Sequence, residues 1–340
     1  MDLAALNAIA EKLVTPGKGL LAADESTATI KKRFDTIGLA STEASRRDYR
    51  EMLFRADEAM RNYVSGVILF RETLYQDAAD GTSLVSLIEQ AGAVPGIKVD
   101  LGAKPMARFP GETLTEGLDG LADQLAKDYE RGARFAKWRA TLYIGDGRPS
   151  WGAVKANAHA LARYAAVCQS QGLAPIVEPE VLMDGAHDIE ACQAATRMTL
   201  RTVFAELAEQ RVALEGMVLK PNMVVCGEDS ASDASVGEVA ERTIATFRAT
   251  VPAAVPGIAF LSGGQSDEAA TAHLDAMNRM GPLPWKLTFS FGRALQAAPL
   301  KTWGGRPENI AAAQRAFAHR ARMNSLASLG QWEGKLERAA

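Results

Sequence analysis

Short apolar runs alternate with helical patterns along most of the chain. The runs favour β-strands because each is brief and ends in polar or turn-forming residues. Eight runs are predicted as strands: 19–23, 64–70, 96–99, 133–138, 173–177, 214–219, 257–261 and 286–289. Apolar residues recur at helical spacing between them, most clearly in segments 153–169, 188–210, 237–250 and 267–279.

The strand and helix alternation predicts the fold class. Parallel strands joined by crossover helices form βαβ units, and eight units in one chain indicate a (β/α)8 TIM barrel. Such barrels usually have about 250 residues. The remaining length of this 340-residue chain is therefore assigned to additional N- and C-terminal helices. No Gly/Ser-rich linker interrupts the pattern, so residues 1–340 are predicted to form a single domain.

Polar residues collect at the carboxyl ends of the predicted strands. Apolar runs are followed directly by Asp24, Arg71, Asp100, Glu178 and Ser262. This face of a (β/α)8 barrel carries the active site. The pattern therefore predicts an enzyme whose site lies at the carboxyl end of the barrel.

One lysine lies at the end of the sixth run. Residues 214–223 carry an apolar strand into Lys220, and Pro221 then breaks it. At a period of two, Lys220 shares a face with Val218 and points into the interior that the strand lines. A solvated lysine at a strand end is the alternative. The position is typical of an amine nucleophile that forms a Schiff base with a carbonyl substrate.

Two charged pairs are predicted to meet Lys220. Lys137 and Arg139 share a face at the end of the fourth run, and Glu178 and Glu180 share one at the end of the fifth. Neighbouring strands lie about 4.8 Å apart, so these side chains can converge in the barrel mouth. Either pair alone fits an exposed salt bridge. Together they favour a proton-transfer site, in which two close carboxylates raise the pKa of one glutamate.

The last two predicted strands are followed by serine and glycine. Ser262-Gly263-Gly264 follows the seventh strand, and Ser290-Phe291-Gly292-Arg293 follows the eighth. In such barrels these loops commonly hold phosphate, because bare backbone N–H groups and an arginine fork bind an oxyanion. A tight turn is the alternative for either loop alone. Both loops together with Arg293 predict a phosphate site.

Composition narrows the classes of partner. The chain is 47% hydrophobic and 23% charged, with a formal net charge of −3, which argues against nucleic acid and anionic membranes as partners. No uncharged apolar run is long enough to span a bilayer. At the N-terminus, Leu3, Leu6 and Leu13 recur at helical spacing, which indicates an amphipathic helix and not a signal sequence.

Cysteines and histidines argue against a metal site. The three cysteines are far apart and odd in number, which predicts reduced thiols in the cytoplasm: Cys168, Cys192 and Cys226. The four histidines form no ligand cluster at a strand end. The sequence therefore predicts an enzyme without a metal ion.

Six ordered blocks carry a resemblance to a known family. They are GKGLLAADEST (17–27), FAKWR (135–139), PIVEPE (175–180), LEGMVLKPNM (214–223), LSGGQS (261–266) and FSFGRALQ (289–296). Over almost its whole length the chain resembles class I fructose-1,6-bisphosphate aldolases. The resemblance implies reversible cleavage of fructose 1,6-bisphosphate to dihydroxyacetone phosphate and glyceraldehyde 3-phosphate, in glycolysis or gluconeogenesis. It also implies a cytoplasmic homo-oligomer, with a tetramer favoured, and a lysine Schiff base in place of any metal or other cofactor.

The resemblance implies roles for the catalytic residues. The lysine at Lys220 forms the Schiff base with dihydroxyacetone phosphate, and Glu178 is the general acid and base for carbinolamine formation and dehydration. Asp24 assists proton handling at the cleaved carbon–carbon bond, while Lys137 and Glu180 tune and position the site.

It also implies contacts to the two phosphates of the substrate. Arg139 lies in the wall of the site, and Ser26 and Thr29 fall near the C6 phosphate. The residues that match the C1-phosphate site are Ser262, Gly263, Gly292 and Arg293, and the loop pattern adds Ser290 as a substrate-binding residue.

The chain departs from the family pattern in three places. Val218 replaces the more usual leucine, which changes packing only. Leu101 stands where animal enzymes have a lysine for the C6 phosphate, and Lys104 is predicted to supply that charge. The chain ends at Ala340 without the terminal tyrosine of the animal enzymes, and its last tyrosine is Tyr164.

Two other functions are compatible with a barrel of this kind. Another Schiff-base barrel, such as a transaldolase or a deoxyribose-phosphate aldolase, shares the chemistry but not the six blocks. A catalytically idle binding or scaffold protein on the same fold is the second. The intact set of charged residues argues against it: Asp24, Lys137, Glu178, Glu180 and Lys220. Preference between the bisphosphate and fructose 1-phosphate stays open.

Overall fold

Eight parallel strands close into a barrel. The computed structural model describes residues 1–338. Its strands are β1 (Gly19–Ala23), β2 (Val64–Leu69), β3 (Val94–Lys98), β4 (Ala103–Pro105), β5 (Thr113–Thr115), β6 (Phe135–Leu142), β7 (Ala174–Val181), β8 (Val218–Leu219), β9 (Gly257–Phe260) and β10 (Lys286–Phe291). The barrel order is β1-β10-β9-β8-β7-β6-β3-β2, and β4 and β5 form a separate antiparallel hairpin. The predicted (β/α)8 TIM barrel is confirmed.

Helices surround the barrel and extend it at both ends. They are α1 (Leu3–Leu13), α2 (Thr27–Asp35), α3 (Glu43–Phe54), α4 (Asp57–Tyr63), α5 (Arg71–Leu74), α6 (Leu84–Gln90), α7 (Leu121–Glu130), α8 (Trp151–Ser170), α9 (Ile189–Glu209), α10 (Val236–Arg248), α11 (Asp267–Asn278), α12 (Arg293–Trp303) and α13 (Ile310–Ser328). Three short 3-10 helices cover Leu214–Gly216, Pro307–Asn309 and Gly334–Arg338. None of the helices in residues 1–338 is long and apolar enough to cross a membrane.

The long outer helices begin where the sequence supplies an N-cap. The capping side chains, each of which accepts a hydrogen bond from the backbone N–H three residues later, are Ser150, Asp188, Ser235 and Ser266. Each cap satisfies an N–H group that has no partner within its helix. Helices α8 to α11 therefore begin directly after these caps. Both ends of each helix lie within two residues of the predicted segment.

The strands that carry charged residues are longer than predicted. β6 and β7 continue to Leu142 and Val181, four residues beyond the predicted ends at 138 and 177. The prediction ended each strand near its first charged residues, although charged side chains can lie within a strand where oppositely charged partners meet them. β8 is instead short, because a 3-10 helix occupies Leu214–Gly216.

Helix α1 closes the amino end of the barrel. Its Leu6, Ala10 and Leu13 are buried in the same apolar cluster as the inward side chains of the strands. Those strand residues are Leu20, Ala22, Ile68, Val94, Phe135, Ala174, Ile176, Val218 and Ala259. Burial of this apolar surface stabilises the closed barrel and fills its interior at the amino end.

A charged layer lies directly above this apolar layer. Four of these inward apolar residues are followed two positions later by a charged one: Ala22 by Asp24, Phe135 by Lys137, Ile176 by Glu178 and Val218 by Lys220. Successive strand side chains point to opposite faces, so residues two apart point the same way. The four charged side chains therefore meet inside the barrel mouth.

Candidate active site

A pocket of about 820 Å³ opens at the carboxyl end of the barrel. Its lining includes every predicted site residue except Lys104: Asp24, Ser26, Thr29, Lys137, Arg139, Glu178, Glu180, Lys220, Ser262, Gly263, Ser290, Gly292 and Arg293. These residues follow different strands, so only the closed barrel brings them together.

Two lysines flank the carboxylate of Glu178. Lys220 Nζ lies 3.1 Å from Glu178 Oε1, and Lys137 Nζ lies 3.2 Å from Glu178 Oε2. All three are buried, with exposed fractions of 4% for Lys220 and 3% for Lys137 and Glu178. Opposite charges attract more strongly here than at the surface, because little water screens them. Each carboxylate oxygen of Glu178 thus faces one lysine amine.

Asp24 completes this cluster from the end of β1. Its Oδ2 lies 2.6 Å from Lys137 Nζ. Burial raises the pKa of Asp24, but the Lys137 and Lys220 ammonium groups outweigh that effect and lower it to about 2. Burial lowers the pKa of Lys137, but Asp24 and Glu178 outweigh it and raise the pKa well above its ordinary value. Near neutral pH, Asp24 is therefore an anion and Lys137 a cation.

Glu178 is also ionised in the resting site. Burial raises the pKa of Glu178, but Lys137 and Lys220 outweigh the burial and lower it. The expected rise in the pKa of one glutamate was therefore wrong for Glu178, because two cations lie closer to it than sequence spacing could indicate. A carboxylate within 3.1 Å of Lys220 Nζ can accept a proton from that amine.

The second glutamate is paired separately. Glu180 Oε2 accepts a hydrogen bond from Arg139 Nε, and Glu180 is 4% exposed. Burial lowers the pKa of Arg139, but Glu180 raises it above its ordinary value. Asp100 Oδ2 also accepts a hydrogen bond from Arg139 N at 3.3 Å. Arg139 and Glu180 therefore form a polar wall beside the lysine cluster.

A glycine turn follows β9 and lines the same pocket. It is closed by a hydrogen bond of 3.0 Å from Gln265 N to Ser262 O. Gly263 and Gly264 have φ angles of 52° and 97°, a region that favours glycine because a Cβ is disfavoured there. A Cβ added to Gly264 would lie 3.9 Å from Arg293 Nη2, so the guanidinium faces this turn.

Arg293 differs from the other cations of the pocket. Within the described residues it has no carboxylate partner, whereas every other pocket cation lies within 4.0 Å of a carboxylate: Arg33, Lys98, Lys137, Arg139 and Lys220. Ser290 Oγ is buried and has no hydrogen-bond partner among residues 1–338. Helix α12 begins at Arg293, so its first N–H groups also lack helical partners. Unpaired donors of this kind form an anion site.

Ser26 and Thr29 lie at the start of α2, on the β1 side of the pocket. Ser26 is the N-cap, and its Oγ accepts a hydrogen bond of 3.3 Å from Thr29 N. The two hydroxyl groups lie 3.0 Å apart. The serine therefore shapes the helix start as well as lining the pocket.

Two pocket cations were missed in the sequence. Arg33 pairs with Glu25, and its Nη2 lies 3.5 Å from the position that a Cβ on Gly292 would occupy. Lys98 ends β3, and its Nζ lies 2.6 Å from Asp100 Oδ1. Sequence spacing could have identified both. Arg33 is one helical turn after the predicted Thr29, and Lys98 lies two residues before a strand-end aspartate, so each shares a face with a residue at the site.

Lys104 does not line the pocket. It lies in β4, whose residues are all exposed, and pairs with Leu114 of β5. The hairpin was not predicted, and it holds Lys104 in the sheet outside the barrel. The geometry therefore favours Lys98 over Lys104 as the cation that this part of the chain supplies to the pocket.

Possible metal ligands and thiols are dispersed. In residues 1–338, no group of three His, Cys, Asp or Glu side chains is placed to hold a metal ion. The cysteines are unpaired thiols in this part of the chain. Burial raises the pKa of the Cys168 and Cys192 thiols, which keeps them protonated near neutral pH.

The fold and the pocket define a (β/α)8-barrel enzyme with a buried lysine–glutamate cluster and an anion site in one pocket. A family model described as fructose-bisphosphate aldolase class-I matches residues 5–340. The chain belongs to this family.

Individual relatives are similar over nearly the whole chain. A probable fructose-bisphosphate aldolase class 1 of Xanthomonas campestris pv. campestris is 53% identical over 335 residues, which are 98% of this chain and 100% of that protein. Cytosolic fructose-bisphosphate aldolase 4 of Arabidopsis thaliana is 54% identical over 321 residues, 94% of this chain and 81% of that protein. A fructose-bisphosphate aldolase structure from Plasmodium falciparum, in complex with TRAP and a small-molecule inhibitor, has a TM-score of 0.95 and 48% identity. It matches 98% of this chain and 96% of that one.

The family predicted from the six blocks is confirmed, and so is the enzyme class, an aldehyde-lyase acting on sugar phosphates. Membership in this family separates the chain from transaldolases and deoxyribose-phosphate aldolases. The roles of individual residues stay predictions.

Proposed function

We propose that this chain cleaves D-fructose 1,6-bisphosphate reversibly to dihydroxyacetone phosphate and D-glyceraldehyde 3-phosphate, with Lys220 as the covalent nucleophile. The observation that carries this proposal is the 3.1 Å contact between Lys220 Nζ and Glu178 Oε1 inside the pocket. A buried amine beside a carboxylate is the arrangement that Schiff-base chemistry needs. Membership in the class-I aldolase family supports the same reaction.

Glu178 handles the protons of imine formation. A lysine attacks the C2 carbonyl only as a neutral amine, so Lys220 first gives a proton to Glu178. The attack forms a carbinolamine. Glu178 then returns a proton to the carbinolamine hydroxyl, which leaves as water and yields an iminium. Because Glu178 is ionised at rest, it acts as a base before it acts as an acid.

Lys137 supports this cycle as a permanent cation between Asp24 and Glu178. Its charge stabilises both carboxylates while they are ionised. In this proposal its charge also stabilises the negative charge that develops on the substrate oxygen during the attack, because a preorganised cation lowers the free energy of such a transition state.

Cleavage of the C3–C4 bond needs an electron acceptor and a base. The iminium at C2 takes up the bonding pair and becomes an enamine, while the C4 hydroxyl gives up its proton. Asp24 is the base in this proposal, because it is ionised and lies in the same cluster. The iminium supplies the electron sink that a metal ion supplies in other carbonyl enzymes, so the mechanism uses neither a metal nor another cofactor.

The two phosphates hold the sugar across the pocket. The C1 phosphate is assigned to the donors of the two loops: Ser262, Gly263, Ser290, Gly292 and Arg293. The C6 phosphate is assigned to Ser26, Thr29 and Lys98, while Arg139 forms part of the wall. Binding both ends converts remote binding free energy into orientation of the bond that breaks.

Borohydride trapping tests the covalent step. The reagent reduces an iminium, so dihydroxyacetone phosphate plus borohydride should label Lys220 of the wild-type protein, and Lys220→Met should abolish both labelling and cleavage. Mass mapping of the adduct to Lys137 or Lys104 would refute the assignment. Undiminished activity in EDTA is expected, and loss of activity on chelation would contradict the metal-free mechanism.

Assembly and location rest on the family. The chain is proposed to act as a single catalytic domain in a cytoplasmic homotetramer, in line with the word "cytosolic" in the names of the Arabidopsis relatives. Sedimentation tests the assembly, because a tetramer is well separated from a 36.3 kDa monomer. A monomer alone at micromolar concentration would contradict it.

A further inference from the structure

A buried histidine lies behind the glycine turn of the anion site. His273 is on α11 and is 8% exposed. Its Nδ1 lies 2.6 Å from Gln265 Oε1, at the end of the turn. Neither His273 nor Gln265 lines the pocket. The mechanism proposed above gives no role to either residue.

Gln265 connects the turn to the segment that follows Lys220. Its backbone N and its Nε2 both donate to Ser262 O, at 3.0 Å and 3.1 Å. The same Nε2 lies 3.6 Å from Met223 Sδ, three residues after Lys220. One side-chain amide thus ties the start of the turn to the strand end that carries the lysine.

The hydrogen bonds of Gln265 fix the tautomer of His273. Gln265 must direct Nε2 at Ser262 O, because two facing oxygens would repel each other, so Oε1 faces His273. Oε1 can only accept, and His273 Nδ1 must therefore carry the proton of that hydrogen bond. Burial lowers the pKa of His273 to about 4, so the ring is neutral near pH 7 and its single proton is on Nδ1.

We infer that His273 is a positioning residue for the C1-phosphate turn, acting through Gln265 to hold Ser262, Gly263 and Gly264 at a set distance from Lys220. The inference rests on the proposed function, because it assumes that this turn binds the C1 phosphate. Two consecutive glycines lose much conformational entropy when a ligand orders them. A turn that is already held lowers this cost and so strengthens phosphate binding.

Matched variants separate the hydrogen bond from the bulk of the ring. His273→Leu keeps an apolar side chain of comparable size but removes the donor, whereas His273→Asn places an amide nitrogen near the position of Nδ1. His159→Leu is the control, because His159 lies on α8 with its side chain 48% exposed and pairs with Glu206 away from the pocket.

The first readout is borohydride trapping with two ketones. In His273→Leu, the concentration of dihydroxyacetone phosphate that gives half-maximal trapping should rise about tenfold, the scale of one buried hydrogen bond. His273→Asn and His159→Leu should stay within about twofold of wild type. Unphosphorylated dihydroxyacetone, which does not use the phosphate turn, should be trapped equally well by all four proteins. A rise for both ketones, or for neither, would overturn the inference.

The second readout does not depend on catalysis. Inorganic phosphate should raise the Tm of the wild type and of His273→Asn, and the phosphate concentration needed should be about tenfold higher for His273→Leu. Gln265→Met, at a partly exposed position, replaces His273→Leu if that variant does not fold. Equal phosphate dependence in the wild type and the donor-free variant would overturn the inference while leaving the proposed function intact. A wild type that forms no adduct would overturn the proposed function, and the Tm series would still decide the role of His273.

Discussion

Lys220 and Glu178 face each other because β7 and β8 are in register. Ile176 is the partner of Val218 across this strand pair, and Lys220 N donates to Val177 O at 2.8 Å. Two residues further along each strand, the amine and the carboxylate meet at 3.1 Å. The register of two parallel strands therefore sets the distance on which the proposed imine formation depends.

Removing the carboxylate should slow imine formation without preventing folding. Glu178→Gln keeps the shape of the side chain but cannot accept a proton from Lys220. The rate of borohydride trapping with dihydroxyacetone phosphate should fall about 100-fold or more, the usual contribution of a general acid–base group. Glu209→Gln, at an exposed position on α9, is the matched control and should trap at the wild-type rate. A wild-type rate in Glu178→Gln would assign proton transfer to another group.

Asp24 should contribute stability that is lost in acid. Its pKa is lowered in the folded state from 3.8 to about 2, so the folded state favours the ionised form. The contribution is fully present above pH 3.8 and disappears as the pH falls through about 2. The shift corresponds to about 2 kcal/mol in the free energy of unfolding.

Urea unfolding of the wild type and Asp24→Asn measures this contribution. The difference in unfolding free energy between the two proteins should be about 2 kcal/mol larger at pH 6 than at about pH 2. Surface carboxylates are common to both proteins and cancel in the comparison. A difference that does not vary with pH would show that the lowered pKa of Asp24 does not stabilise the fold.

Substitutions of Lys98 and Lys104 should affect binding of the C6 phosphate differently. Lys98→Met should raise KM for fructose 1,6-bisphosphate about tenfold, the scale of one charge-assisted hydrogen bond, and should change cleavage of fructose 1-phosphate little. Lys104→Met removes an exposed charge outside the pocket and should leave both substrates unaffected. Steady-state kinetics with the two substrates decides between them. A selective loss in Lys104→Met would restore the prediction made from the sequence.

Ser290→Ala should separate binding from stability. The buried Ser290 Oγ has no hydrogen-bond partner in the described part of the chain, so removing it should leave the Tm unchanged or slightly higher. If the Ser290 hydroxyl binds the C1 phosphate, the variant loses one hydrogen bond to the substrate. Its KM for fructose 1-phosphate should therefore rise about threefold to tenfold. A lowered Tm with unchanged KM would make Ser290 a structural residue.

Local periodicity in the sequence was sufficient to predict the architecture and most of the residues that line the pocket. Alternation of apolar runs with helical patterns is a property of neighbouring residues, so the strands, the barrel and the inward direction of Lys220 could be predicted without coordinates. The same period of two placed Glu178 with Glu180 and Lys137 with Arg139 on single faces. The six short blocks then sufficed to predict the family.

Only the tertiary structure determines the charge states of the buried side chains and which residues line the pocket. The pKa of Glu178 depends on cations on β6 and directly after β8, and only the distances between strands give the direction of its shift. The unpredicted hairpin removed Lys104 from the pocket, while Lys98 kept the inward direction of β3. The contact between His273 and Gln265 likewise depends on how α11 packs behind its own N-terminal turn. Each of these is a relation between distant or differently folded segments, and a pattern along the chain does not contain the distances that determine it.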